Sequence, residues 1–169
     1  GLEKHVPPVE RYVRAAEFAQ IVLGLWNTWD DDAFIEDREQ GLYFDRSGMR
    51  YLNHKGEYFA VRGPLTVRRS EQGHPVLVQA GQSEHGRALA AATAEVVFTV
   101  QQELQVAKEF RADVHARAQA LGRHLSSIKI MPGVVPVVAE TAEQAQAKFD
   151  GLQDLIHPSL GVKILSDLI

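Results

Sequence analysis

From Val9 to Trp29 the apolar residues return every three or four positions. Val9, Tyr12, Val13, Ala16, Ala19, Val22, Leu23, Trp26 and Trp29 share one face, with Glu10, Arg11, Arg14, Glu17 and Gln20 on the other. That period predicts one amphipathic helix over 9–29, entered through Pro7 and Pro8, where a missing N–H is tolerated. Gly41–Arg69 is different. Strand-forming residues such as Tyr43, Phe44, Tyr58 and Phe59 are punctuated by Asp45–Gly48 and His54–Gly56, which read as turns. The segment 35–70 is expected to be a β-hairpin insertion. After Gly73 a regular alternation sets in. Strands are predicted at 74–80, 95–100 and 128–138, each followed by a helix, at 83–93, 103–121 and 141–156. Thr141 and Gln144 are spaced as a capping box.

Strand–helix repeats with short connections predict an α/β fold with a parallel sheet buried on both faces. Such units build either a doubly wound sheet or a (β/α)₈ TIM barrel. A barrel needs about 250 residues, and this chain has 169. It opens on Gly and is still apolar at Leu165–Ile169. Residues 1–169 are therefore read as the central segment of one barrel domain, incomplete at both ends. About three βα units follow the long helix, with the hairpin inserted between them.

Composition narrows the partners. A net charge of −4 gives no reason to expect nucleic acid or an anionic membrane. The chain has no cysteine, which excludes disulfides and thiolate chemistry. Its apolar runs, such as Ile21–Trp26 and Val134–Ala139, are far too short to span a bilayer. No apolar leader follows Gly1, and the expected setting is the cytoplasm. None of the seven histidines falls in an H-x-x-x-H pairing, and no metal site is expected.

The most informative stretch runs from Val76 through Gln79-Ala80-Gly81-Gln82-Ser83 to Gly86-Arg87. An apolar strand enters Gly81, a short polar turn follows, and a helix begins near Ser83. The first amides of a helix lack intrahelical partners and carry the positive end of its dipole. A phosphate would meet several donors there, with the Ser83 hydroxyl as one more. Gly81 and Gly86 would let it approach closely. Gly81-x-x-x-x-Gly86 has P-loop glycine spacing, but Arg87 and Ala88 stand where Lys and Ser/Thr are required, which rejects an NTPase. The stretch is also one residue too long for a G-x-S-x-G nucleophile elbow. An ordinary strand-to-helix turn with Ser83 as N-cap fits the same residues. At this level both readings stand.

The words Gln79-Ala80-Gly81-Gln82-Ser83, Gly86-Arg87 and Ala94-Glu95-Val96-Val97-Phe98 resemble the FMN-binding segment of the luciferase-like flavin monooxygenases. The branch is that of the nitrilotriacetate, dibenzothiophene-sulfone and long-chain alkane monooxygenases. Three further stretches carry the resemblance along nearly the whole chain, in order: Arg11-Tyr12-x-Arg14-Ala15 on to Trp26-x-x-Trp29, Leu52–Leu65, and Lys129–Val138. It implies a barrel enzyme using reduced FMN and O₂ on a small-molecule substrate, supplied with flavin by a separate NAD(P)H:flavin reductase. It places the FMN phosphate on Tyr12 and Ser83, with the backbone near Gly81 and Gln82 assisting and Gln79 completing the cofactor-binding set. From periodicity alone Tyr12 is only a half-buried helix residue with a wet hydroxyl. The Asn-aromatic-Gly word of the family is represented by Gly1 alone. Side chains that contact the flavin ring would lie outside this segment, so the catalytic residues are unknown and the isolated 169 residues are expected to be inactive. A truncated, non-catalytic barrel fragment and a deazaflavin-dependent oxidoreductase of the same barrel class are the alternatives.

Several side chains have two readings each. His85 could face the phosphate, although a solvent-facing place is favoured. Arg87 could neutralise the phosphate or pair with Glu84. Asp30–Asp32 reads as a solvated loop, and Trp26 and Trp29 as core anchors. The Gly41–Arg69 hairpin reads as a lid or a subunit contact, the second favoured because its aromatics need burial, and a homo-oligomer is expected.

Overall fold

The computed structural model describes residues 6–168. Gly1, the trace of the Asn-aromatic-Gly word, and Ile169 lie outside them. The chain divides at Gly133 into two compact units. The first carries α1 (Pro8–Trp26), β1 (Phe34–Asp37), β2 (Leu42–Phe44), β3 (His54–Lys55), β4 (Ala60–Val61), β5 (Val78–Ala80), α2 (Glu84–Thr93), β6 (Val96–Thr99), α3 (Leu104–Ala120) and β7 (Lys129–Pro132). The second carries α4 (Ala142–Asp154) and α5 (Pro158–Leu168).

Helix α1 stops three residues before the apolar period does. Asn27 donates its side-chain amide to the Leu23 carbonyl (2.9 Å), and the Thr28 hydroxyl donates to that of Leu25 (2.7 Å). Such short polar side chains compete with the helical ladder. Trp29 leaves the helix and becomes a true core anchor. It is buried, donates its indole N–H to the Leu65 carbonyl (2.7 Å) and packs on the rings of Phe34 and Phe44. Trp26 stays half-buried and stacks on His74.

The alternation after Gly73 does produce a parallel sheet, in the order β5-β6-β7, with Gln79, Val97 and Ile130 in register. One face packs on α2 and α3 through Ala90, Ala91, Ala94, Val97, Phe110, Val114, Ala118 and Ile128. Alanines at the contact let α2 lie close to its neighbours. The opposite face presents Val78, Phe98 and Met131 to solvent, so burial on both faces does not hold for this three-stranded sheet. Two strands are shorter than the apolar runs suggest. Pro75 has no N–H to give, and the Leu77 amide is taken by the Glu95 carboxylate (2.9 Å). At the other end Pro132 closes β7, and Gly133 N–H makes the last bond, to the Thr99 carbonyl (2.8 Å).

The insertion is two antiparallel ribbons instead of one hairpin. Strand β1 pairs with β2 through a register shift, and β3 with β4. Asp45–Gly48 is the expected turn, with the Asp45 carboxylate accepting from Ser47 N–H (2.8 Å). His54–Lys55 is a strand, and the turn falls after it, where Gly56 N–H bonds the Phe59 carbonyl (2.9 Å). The reason lies in α1. The half-buried Glu17 carboxylate accepts from His54 Nε2 (2.8 Å) and from the amides of Tyr58 (2.9 Å) and Phe59 (3.0 Å), which fixes that ribbon on the helix. Nor is Asp30–Asp32 merely solvated: Asp30 pairs with Arg50 (2.7 Å) and Asp31 with Arg69.

In the second unit the capping box forms, Thr141 and Gln144 exchanging side-chain-to-backbone bonds at 3.3 Å each. Helix α5 is unanticipated. Pro158 at its first position and the Leu160/Ile164 spacing were its available signals.

Candidate functional site

Strand β5 delivers Gly81 to the carboxyl edge of the sheet, and α2 starts three residues later. Between them Ser83 is extended (φ −65°, ψ 161°), and its hydroxyl accepts from Gly86 N–H at 3.1 Å, capping the helix. From α1, Tyr12 reaches the same point, where Ser83 Oγ donates to the Tyr12 hydroxyl at 3.3 Å. With the serine proton directed at Tyr12, the tyrosine keeps its own proton for an outside acceptor. Among the described residues the amides of Ser83, Glu84 and His85 have no hydrogen-bond partner. Three backbone donors and two hydroxyls thus converge at the positive end of a helix dipole.

The glycines are close to this point. A β-carbon on Gly86 would lie 3.1 Å from the Tyr12 hydroxyl and 3.2 Å from the Gly81 backbone. One on Gly81 would lie 3.3 Å from Gly86 Cα and 3.4 Å from the Tyr12 hydroxyl. The structure therefore brings Tyr12, Gly81 and Ser83 together, with the half-buried Gln79 amide beside them, 3.5 Å from the β-carbon position of Gly81. Gln82 joins through its backbone alone, since its side chain donates to the Val100 carbonyl (3.0 Å) at the end of β6. His85 is exposed, its ring 6.0 Å from that of Tyr12. Both rings line a groove of about 370 Å³ between α1 and α2, whose walls also include Val9, Val13, Gln20 and Thr93.

Arg87 does not face the helix start. It pairs with Glu84 (3.2 Å) and Asp113 (3.0 Å), and Arg117 from α3 pairs with the same two carboxylates at 2.8 and 2.9 Å. Hydrogen bonds from Arg117 first, and then Arg87, hold the Glu84 carboxyl below the usual carboxylate range. Sequence reasoning missed Arg117 and Asp113. Their signal was the four-residue spacing of an acid and a base on one helix face.

A model of the luciferase-like monooxygenase family matches residues 2–161. The chain belongs to that family. It is 53% identical over 167 residues to N-acetyl-S-(2-succino)cysteine monooxygenase of Bacillus subtilis (strain 168), an alignment covering 99% of this chain and 38% of that protein. It is 47% identical over its whole length to nitrilotriacetate monooxygenase component A of Aminobacter aminovorans, 37% of which is covered. The crystal structure of a riboflavin lyase with modified FMN and riboflavin superposes with a TM-score of 0.85 at 34% identity, covering 93% of this chain and 35% of that one. The branch expected from the sequence words is borne out. The chain spans a little over a third of the length of these relatives.

Proposed function

We propose that this family member carries the FMN phosphate site of a two-component, FMNH₂- and O₂-dependent monooxygenase, built on a (β/α)₈ barrel of which these residues form the central part. The observation that carries the reading is the meeting of Tyr12, Ser83 and the unpaired α2 amides beside two glycines. The donor set suits a phosphate: two hydroxyls, backbone N–H groups and no blocking β-carbon. The FMN in the riboflavin lyase structure supports flavin as the ligand. The name "component A" of the nitrilotriacetate relative supports a separate NAD(P)H:flavin reductase as partner. When bound, reduced FMN would supply the electrons that activate O₂. The residues of this chain would bind and orient it: Tyr12 donating to a phosphate oxygen, Ser83 turning its one hydroxyl proton from Tyr12 to another, the amides of Ser83, Glu84 and His85 completing the cradle, Gln82 bracing the turn from β6, and Gln79 packing beneath Gly81. We place the enzyme in the cytoplasm as a homo-oligomer, since the β1–β2 ribbon exposes Ile35, Leu42 and Tyr43.

The test compares FMN with riboflavin, which has the same ring system without the phosphate. Ser83→Ala and Tyr12→Phe in the intact protein are each expected to weaken FMN about tenfold or more, the value of a hydrogen bond to a charged group, with riboflavin unchanged. Equal FMN affinity in wild type and both variants would remove the phosphate from this turn.

A further inference from the structure

Glutamate is an awkward first residue for a helix that receives an anion. It favours the helix itself, because a carboxylate there complements the dipole. A bound phosphate needs the same positive end, and a free carboxylate beside it would repel the ligand. Glu84 holds that position. Its carboxylate is turned onto α3, where Arg117 grips both oxygens, Nη1 to Oε1 at 2.8 Å and Nη2 to Oε2 at 3.0 Å. Arg87 Nη2 adds a contact to Oε2 at 3.2 Å. Asp113 joins the two arginines from the far side, at 2.9 Å from Arg117 Nε and 3.0 Å from Arg87 Nε. Two guanidinium groups and two carboxylates close a ring of zero net charge, immediately behind the amides left free at the helix start.

We infer that Arg117, with Arg87 and Asp113, is a positioning residue for phosphate recognition: it turns the Glu84 carboxylate away from the first turn of α2 and neutralises it, leaving the helix start open to an anion. The inference rests on the phosphate reading above. The bidentate grip matters here because a guanidinium fork fixes direction as well as charge, which a lysine ammonium does not. Without Arg117, Glu84 keeps one contact to Arg87 at the longest distance in the ring, and its charge is only partly balanced.

The experiment measures dissociation constants of FMN and riboflavin for the intact protein by quenching of flavin fluorescence. Their ratio isolates the phosphate and is insensitive to a general loss of fold. Arg117→Met is expected to lower the preference for FMN about fivefold to tenfold, as one uncompensated charge near a dianion in partly screened surroundings should. Glu84→Gln in the Arg117→Met background is expected to restore it. Glu84→Gln alone leaves the arginines uncompensated and is expected to raise the preference, an arm that does not depend on how well Arg117→Met packs. The inference is overturned if Arg117→Met weakens FMN and riboflavin equally, if the second substitution fails to rescue, or if Glu84→Gln alone lowers the preference. Should wild type itself bind FMN no better than riboflavin, the phosphate reading fails first, and the result is recognisably different.

Discussion

Replacing Gly86 by alanine should separate stability from cofactor binding. Gly86 is in the first turn of α2 with an ordinary helical φ, so alanine meets no backbone strain there, and helix propensity favours it by about 1 kcal/mol. Against this, the new methyl would stand 3.1 Å from the Tyr12 hydroxyl and 3.2 Å from the Gly81 backbone. Crowding of this kind costs about 1–3 kcal/mol, so the net destabilisation is small, between about 0 and 2 kcal/mol. The relief is unevenly available. Gly81 is held between β5 and the capped helix, whereas the tyrosine ring ends a rotatable side chain and can move by a few tenths of an ångström. The methyl therefore displaces the hydroxyl proposed to hold the phosphate. A lost hydrogen bond to a charged group is worth about 1.5–3 kcal/mol, which weakens FMN roughly 10- to 150-fold. Paired flavin titrations and a thermal melt test this: FMN should bind far more weakly, riboflavin about as before, and the melting temperature should move by only a few degrees. A stable Gly86→Ala protein with wild-type FMN affinity would refute the crowding argument and the role given to Tyr12.

Two further predictions concern the framework. Val114 is fully buried between α3 and the sheet. Val114→Ala should lower unfolding stability by about 2–3 kcal/mol in urea, from two lost methylene equivalents and the cavity they leave. Glu17 gives a pH dependence. Its carboxyl titrates below the ordinary value of 4.5, chiefly because His54 hydrogen-bonds it, with the Tyr58 and Phe59 amides acting in the same direction against desolvation. A lowered folded-state value means the latch is fully present above the unfolded carboxylate range and is lost as pH falls through the lowered value. Protection factors at Tyr58 and Phe59, taken against the intrinsic exchange rates at each pH, should fall on acidification, and Glu17→Gln should lower them at neutral pH. Unaltered protection in that variant would show that the ribbon is held by something else.

The parallel sheet was legible because its strands are continuous apolar runs bounded by Gly and Pro, and α2 because Ser83 and the alanine-rich stretch announce it. What was not legible depended on partners distant in sequence. The end of α1 is decided by Asn27 and Thr28 turning back on Leu23 and Leu25, which an apolar period running on to Trp29 conceals. The position of the 56–59 turn is set by Glu17, some forty residues earlier. Arg87 read equally well as a phosphate ligand or a surface ion pair. The choice is made by Asp113 and Arg117 on a different helix. Tyr12 is the sharpest case, since its helical spacing implies nothing beyond half-burial. Family resemblance, and not periodicity, directed attention to its hydroxyl, which the fold then places 3.3 Å from Ser83 Oγ.

The proposed site also has a charge logic. Arg87 on α2 and Arg117 on α3 are committed to carboxylates. The phosphate is left to hydroxyls, amides and the dipole, each worth less than a guanidinium fork aimed at the anion. That weakness would suit the proposed delivery of reduced flavin by a separate reductase, since a cofactor that must arrive and leave is poorly served by a direct arginine clamp. Shape contributes as well, because a β-carbon on either glycine would crowd the Tyr12 hydroxyl at this turn. The ring around Glu84 then has a clear place in the design: it holds the arginines out of the cradle and keeps the acid out with them.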